Sequence, residues 1–317
     1  MGLNKTKIAI IGAGYMADEY LKVLSQLKNI EIVGICNRTQ KNSNKLKKKY
    51  KIPKIFNTIE KMYNATKPDG VIIAVSPEII KSIAQKIFKH PWKCLFEKPI
   101  GVNFKESKFI NKLLNKNNLN SFIGLNRRFY ASTKYLLNEI SKDKLKNRIV
   151  EIQDQEDQNL IKHRFSKKIV DNYMYVNSIH LIDYFNLICR GNIKKIVRVK
   201  KWQNRKKNIF TSYLYYSSGD IGVYRALWNL PGPWSVKVFL EKGSYILQPI
   251  EKIIFRKFNS RQEKIIKIND RDDINFKPGL KMQVNAFINA INSVPNKLPK
   301  ITESFRLMKL INKIYQK

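Results

Sequence analysis

Gly12, Gly14 and Ala17 stand at GxGxxA spacing, and the residues on either side give that spacing a chemical meaning. Before the glycines, Ile8, Ile10 and Ile11 form a short, nearly all-apolar run, as expected of a central parallel strand buried on both faces. After them, Met16, Tyr20, Val23, Leu24 and Leu27 return at helical spacing. A strand that ends at Gly12, a turn without Cβ atoms and a helix that starts at Tyr15 would turn backbone N–H groups and the positive end of a helix dipole toward a diphosphate. Ala17 sits where a small residue lets helix and strand pack closely. A second strand over 31–36 follows at the distance a βαβ unit requires, so Gly12, Gly14, Tyr15 and Met16 read as cofactor contacts rather than a merely structural turn.

The end of that second strand bears on which dinucleotide is bound. An Asp or Glu there holds the adenosine ribose of NAD, whereas a nearby Arg accommodates a 2′-phosphate. The chain reads Cys36-Asn37-Arg38-Thr39, with no acid, a planar guanidinium and Lys41 close behind. Asn37 and Arg38 are therefore candidate contacts, and NADP is expected to be preferred over NAD.

The surrounding elements alternate. A basic helix is expected over 39–50, a short strand over 54–56 and a helix capped by Thr58. Val71-Ile72-Ile73-Ala74-Val75 reads as a second fully apolar strand. Ser76-Pro77-Glu78 combines a capping serine, a proline at the first helical position and an acid in the first turn, and Ser76 joins the candidate cofactor contacts. A strand over 93–96 runs into Glu97-Lys98-Pro99. Asn103 and Glu106 open a further helix as a capping box, and a strand over 121–124 follows. This alternation predicts an α/β Rossmann domain, a doubly wound parallel sheet, over 1–124.

Beyond it the pattern changes. Helices are expected over 132–141 and 173–189, and a strand over 148–154. Strand-like runs then dominate over 193–203, 209–217, 220–228, 234–241, 244–248 and 251–258, with turns at Ser218-Gly219 and Lys242-Gly243. Alternation such as Phe210, Ser212, Leu214, Tyr216 leaves one covered face and one available to a partner. Helices over 278–293 and 303–316 end the chain. Residues 125–317 are thus expected to form an α+β domain with an open, mostly antiparallel sheet for substrate binding and oligomerisation.

Bulk composition narrows the function classes. The 61 Lys and Arg against 24 Asp and Glu give a net charge of +37, which invites a nucleic-acid reading. The lysines are spread over nearly every element, however, and the densest groups, 45–54 and 200–207, lack the interleaved aromatics of a stacking platform. No specific nucleic-acid partner is expected. No apolar run approaches the length of a membrane span, and the first strand begins too early for a secretory h-region, so no membrane and a cytoplasmic location are expected. Cys36, Cys94 and Cys189 are far apart and in apolar settings, which suits reduced thiols. With only His90, His163 and His180 present, no metal centre is expected.

The GAGYMA turn, Glu97-Lys98-Pro99 at a strand end, Asn126-Arg127-Arg128-Phe129 shortly after, and His180-Leu181-Ile182-Asp183 on a mid-chain helix together resemble the Gfo/Idh/MocA oxidoreductases over essentially the whole chain. The resemblance implies a nicotinamide cofactor and a sugar-like substrate, a sugar, sugar nucleotide or polyol, meeting between the two domains. Moving a hydride between a carbinol carbon and a nicotinamide also moves a proton on or off the oxygen, work suited to a histidine. A cation near that oxygen stabilises developing negative charge. The resemblance gives these roles to His180 and Lys98, and places Glu97 and Lys98 beside the cofactor. Asp183, one turn beyond His180, either touches substrate or only orients and caps; Arg127 and Arg128 are left unassigned.

One departure stands out. Many members carry Asp four residues before the histidine, where this chain has Val176. Asn177, on nearly the same helical face, is the residue able to replace that hydrogen bond to a substrate hydroxyl. Related proteins commonly pair open sheet faces, which implies a homodimer or homotetramer. The rival reading is a non-catalytic dinucleotide-binding protein with a regulatory or scaffold role.

Overall fold

The computed structural model describes residues 5–117, 121–144, 147–200, 202 and 208–316. The chain divides into two compact units, one of 1–129 with 271–305 and one of 130–270 with 306–317.

In the first unit six strands, β1 (Thr6–Ile11), β2 (Ile30–Cys36), β3 (Ile55–Phe56), β4 (Gly70–Ile73), β5 (Lys93–Glu97) and β6 (Ser121–Gly124), form one sheet in the order β3-β2-β1-β4-β5-β6. Every neighbouring pair is parallel. The order reverses at β1, the topological switch point at which such sheets bind ligands outside the strands' carboxyl ends. The apolar runs behave as their composition dictates, since Ile8, Ile10, Val71, Ile72 and Ile73 have no exposed surface.

Local capping matches the expected chemistry. Thr58 Oγ1 accepts from Lys61 N at 3.2 Å at the start of Ile59–Thr66. Ahead of Phe104–Asn117, Asn103 Oδ1 accepts from Glu106 N at 3.0 Å, and Glu106 Oε2 accepts from Val102 N at 3.1 Å. After β4, Ser76 caps a turn rather than the helix itself, its Oγ accepting from Glu78 N at 3.4 Å, and the helix Ile80–Ile87 begins two residues later.

The parallel-sheet unit draws on residues well outside 1–124. Helix Leu280–Ile291 packs Leu280, Val284, Phe287 and Ala290, spaced three and four apart on one stripe, into the same core as Ile10, Tyr20 and Leu95. A Cβ on Gly70 would stand 2.4 Å from Ile291 Cδ1, so helix and sheet touch at that glycine. Lys93 Nζ donates to Ala290 O at 2.6 Å and to Ile291 O at 3.0 Å, a cation on the negative end of the helix. Nothing in the local pattern of 271–305 distinguishes it from a helix of the second unit; its apolar stripe does not say which sheet it covers.

The second unit holds eight strands, β7 (Ile149–Asp154), β8 (Ile193–Arg198), β9 (Asn208–Tyr216), β10 (Ile221–Trp228), β11 (Ser235–Leu240), β12 (Gly243–Leu247), β13 (Ile253–Lys257) and β14 (Glu263–Ile266), in the order β14-β13-β12-β11-β7-β10-β9-β8. All neighbours are antiparallel except β7 with β10. The expected alternation is present: Phe210, Ser212, Leu214 and Tyr216 are buried while Tyr215 is 39% exposed. On the outward face the register sets Tyr215, Ile221, Ile149 and Phe239 side by side across four strands.

Helix Ile179–Ile188 covers the inner face, and Gly222 on β10 lets Phe185 press within 2.7 Å of where a Cβ would be. The expected single helix over 173–189 is instead a wide π turn, Met174–Ser178, followed by the α-helix. Three short helices, Gln158–Arg164, Lys167–Val170 and Arg271–Asn275, and β14 add to the expected elements. Of the basic stretch 200–207, only Lys200 and Trp202 are described. Trp202 packs its ring on Trp228 and Tyr315 at 4.6 and 4.9 Å, in a cluster of aromatics within the unit. The end of the expected strand 193–203 likewise falls partly outside the described residues.

Candidate functional site

Four strand ends of the parallel sheet carry the expected cofactor contacts. After β1, Gly12 adopts φ +108, and a Cβ there would lie 2.1 Å from Ala74 O, so the chain passes β4 too closely for any side chain. Gly14 caps helix Tyr15–Leu24 with φ −91, and no atom stands within 4 Å of its absent Cβ. The first N–H groups of that helix, on Tyr15 and Met16, have no partner within the helix and open onto this space. The cradle therefore fits a diphosphate, which Gly12, Gly14, Tyr15 and Met16 would hold. Tyr15 is 66% exposed beside it.

Asn37 and Arg38 follow β2. Asn37 N donates to Phe56 O at 3.1 Å and Asn37 Nδ2 to Thr39 O at 2.6 Å, which shapes the turn and leaves the exposed Arg38 guanidinium as the charged group there. Ser76 is exposed after β4.

At the end of β5, Glu97 turns into the core. It is 7% exposed, and Oε1 accepts from Tyr20 OH at 2.5 Å; Tyr20 OH in turn accepts from Gln283 Nε2 at 2.8 Å. Burial pushes the Glu97 carboxyl above its ordinary value, against the pull of the Tyr20 hydrogen bond and of Lys98 and Lys277. Gly124 on β6 makes room for this trio, since a Cβ would meet Glu97 Oε1 and Tyr20 OH at 3.0 Å. Lys98 is half-buried, and its bond to Pro99 is cis.

In the second unit His180 and Asp183 lie in the first turns of helix Ile179–Ile188, 7% and 3% exposed. Val176 and Asn177 belong to the π turn before it. Asn177 Nδ2 donates to Glu156 Oε1 at 2.8 Å, and the adjacent Ser178 Oγ donates to Asp154 Oδ2 at 2.6 Å. The same Asp154 oxygen accepts from Tyr224 OH at 2.6 Å and Trp228 Nε1 at 3.4 Å. The structure thus sets Asn177, His180 and Asp183 along one helical segment of the second unit, and the cofactor candidates with Lys98 along one sheet edge of the first.

Residues unanticipated from sequence stand beside both groups. Lys277 Nζ lies 5.3 Å from the Tyr15 ring centroid, and Gln283 completes the Tyr20–Glu97 chain; both come from 271–305. Glu156 comes from the segment after β7 and has no sequence motif around it. Arg128 pairs with Glu303 at 3.1 Å. Among the described residues no group of three or more His, Cys, Asp or Glu could hold a metal ion, and no helix is long and apolar enough to cross a membrane.

Residues 6–125 match the profile of the oxidoreductase family with NAD-binding Rossmann fold, Gfo/Idh/MocA. The match runs from β1 to β6 and stops there, so over the strands of its parallel-sheet unit the chain is similar to the NAD-binding domain of those oxidoreductases. The glucose-6-phosphate 3-dehydrogenase of Bacillus subtilis (strain 168) is 29% identical over 143 residues, 44% of this chain and 39% of that protein, so the match spans about two fifths of the relative's length. A dehydrogenase of Chromobacterium violaceum superposes with a TM-score of 0.83 at 15% identity, over 99% of this chain and 95% of the other. The WlbA dehydrogenase of Bordetella pertussis, solved with NADH and UDP-GlcNAcA, superposes with a TM-score of 0.78 at 15% identity, over 99% and 95%. These likenesses are likenesses of fold.

Proposed function

We propose that the chain is an NAD(P)-dependent dehydrogenase or reductase that works on a CH–OH carbon of a sugar, sugar nucleotide or polyol in the cytoplasm, with NADP(H) as the preferred cofactor. The observation that carries this reading is the helix-capped glycine turn, open at Gly14, on the same sheet edge as a lysine whose preceding residue, Glu97, is pinned in the core. The nicotinamide, when bound, accepts or returns the hydride. Lys98 stabilises negative charge on the reacting oxygen, and His180 takes up or returns its proton. Asn177 and Asp183 bind the substrate. Arg38 supplies the guanidinium for a 2′-phosphate.

The names of the relatives support the substrate class: one acts on a sugar phosphate and one was solved with a sugar nucleotide. A homodimer or homotetramer built on the outward sheet face completes the proposal. Glucose 6-phosphate, UDP-GlcNAc, free sugars and polyols, each offered with NADP+ and NAD+ while cofactor reduction is followed by absorbance, test the activity. Tight cofactor binding without turnover of any of them would favour the non-catalytic reading instead.

A further inference from the structure

Asn177 is an ambivalent group. Its amide presents two donors on one side and an acceptor on the other, and which side faces outward is decided by what holds it. Here it is held by a carboxylate, which when ionised can only accept, so the Glu156–Asn177 hydrogen bond at 2.8 Å fixes the NH2 toward Glu156. The amide carbonyl Oδ1 must then face the other way. Asn177 is half-buried, whereas Glu156 behind it is 7% exposed.

The segment bearing Glu156 is itself held. Glu156 O accepts from Asn229 N at 2.8 Å, Asn229 Oδ1 accepts from Gln158 N at 2.8 Å, and Gln155 O accepts from Trp234 Nε1 at 2.6 Å. Asp154 and Glu156, two residues apart, grip the consecutive residues Ser178 and Asn177, so the last two positions of the π turn are fixed directly ahead of the helix that carries His180. A buried carboxyl group costs free energy unless hydrogen bonds offset it, and this one is placed where its acceptor oxygen orients an amide one turn from the histidine.

We propose that Glu156 is a positioning residue for the dehydrogenase reaction: acting through Asn177, it converts the amide into a dedicated acceptor for a substrate hydroxyl next to the reacting CH–OH, so that the pair does the work of a carboxylate on that helical face. The role rests on the dehydrogenase reading above. It selects polyhydroxylated substrates with a hydroxyl adjacent to the oxidised carbon.

The test uses the full chain and the best substrate from the sugar and sugar-nucleotide panel. Glu156→Gln lets the amide turn either way and should raise KM by roughly 10- to 100-fold, the worth of a lost hydrogen bond in a binding site, with kcat lowered less and NADP(H) affinity unchanged. Asn177→Asp alone sets two carboxylates against each other and should be impaired as well. The double variant Glu156→Gln/Asn177→Asp restores a donor–acceptor pair with an acceptor facing outward and should recover most of the lost kcat/KM. Melting temperatures are recorded for each; should Glu156→Gln fold poorly, Asn177→Leu, which removes only the amide, gives the same KM readout. Wild-type KM in an active Glu156→Gln, or a double variant no better than its parents, overturns the positioning role while leaving the dehydrogenase reading intact. A wild-type chain that binds NADP(H) but turns over no member of the panel overturns both.

Discussion

The Tyr20 hydroxyl donates to Glu97 Oε1 across 2.5 Å, so the helix that begins at the glycine turn is joined to the strand end that precedes Lys98. Both residues are buried, and Gln283 closes the chain of hydrogen bonds on the other side of the phenol. Tyr20→Phe removes the donor and leaves a buried carboxyl short of a partner, which should cost about 1–3 kcal/mol. Denaturant unfolding of the two proteins measures it; a change within about 0.5 kcal/mol would show that Glu97 finds another donor.

Glu97 also carries a pH signature opposite to that of an ordinary surface carboxylate. Burial raises its value in the folded chain, so the folded state holds the proton to higher pH than the unfolded state does. Stability from this group is therefore fully present below the ordinary carboxyl range and is lost as pH rises through the raised folded value. Glu97→Gln does not titrate. Its melting temperature relative to wild type should rise as pH increases through that window, and a flat difference would contradict the assigned shift.

The two glycines of the turn should separate fold from cofactor binding. Gly12→Ala puts a methyl group into Ala74 O at a backbone angle that already disfavours side chains, and should destabilise the chain by more than the ~1–3 kcal/mol of local strain alone. Gly14→Ala meets nothing in the protein and should melt within about 0.5 kcal/mol of wild type. Its methyl group enters the diphosphate space, however, and should weaken the dinucleotide by at least about tenfold, or ~1.4 kcal/mol. Calorimetric titration beside thermal melts reads both, and unimpaired binding by Gly14→Ala would move the diphosphate elsewhere.

Arg38 should decide between the two dinucleotides. Replacing it by Ala removes a charge-assisted contact worth about 1.5–3 kcal/mol to the 2′-phosphate, so NADP(H) affinity should fall by roughly one to two orders of magnitude while NAD(H) affinity stays put. Equal losses for both cofactors would remove Arg38 from the 2′-phosphate.

The proton step should depend on His180. His180→Asn is expected to lower kcat by roughly 10²- to 10⁴-fold, with cofactor affinity nearly unchanged, and Lys98→Met to cripple turnover as well. Wild-type turnover by His180→Asn would end the proposed mechanism.

Much of this architecture was legible because it is written locally. The glycine turn, the Thr58 cap and the Asn103–Glu106 box each need only a few neighbouring residues to declare themselves. Two of the missed short helices carried caps of the same kind, Asp157 accepting from Asn159 N and Leu160 N, and Ser166 from Ile169 N, but offered too few turns for periodicity to register. The π turn at Met174–Ser178 escapes helical periodicity altogether, because apolar spacing does not report whether a turn closes at four residues or five. Glu156 could not be found in advance, since its meaning lies in a side chain 21 positions away. The outward row of Tyr215, Ile221, Ile149 and Phe239 was implied by alternation, yet only strand register shows that the four line up.

Helix Leu280–Ile291 has a consequence for how the chain is made. On the ribosome the six strands of the nucleotide-binding sheet are synthesised first, yet one side of their core waits for Phe287 and Ala290, which emerge after the whole antiparallel sheet has been translated. Domains ordinarily fold as they leave the tunnel, amino-terminal end first. Here the amino-terminal sheet must hold its apolar face uncovered through the synthesis of some 160 further residues, from β6 to that helix, and the long loop so closed slows its completion. A nascent chain stalled before Leu280 should therefore bind chaperones and be cut readily by protease across β1 to β6, and emergence of Leu280–Ile291 from the ribosome should convert it to the resistant form.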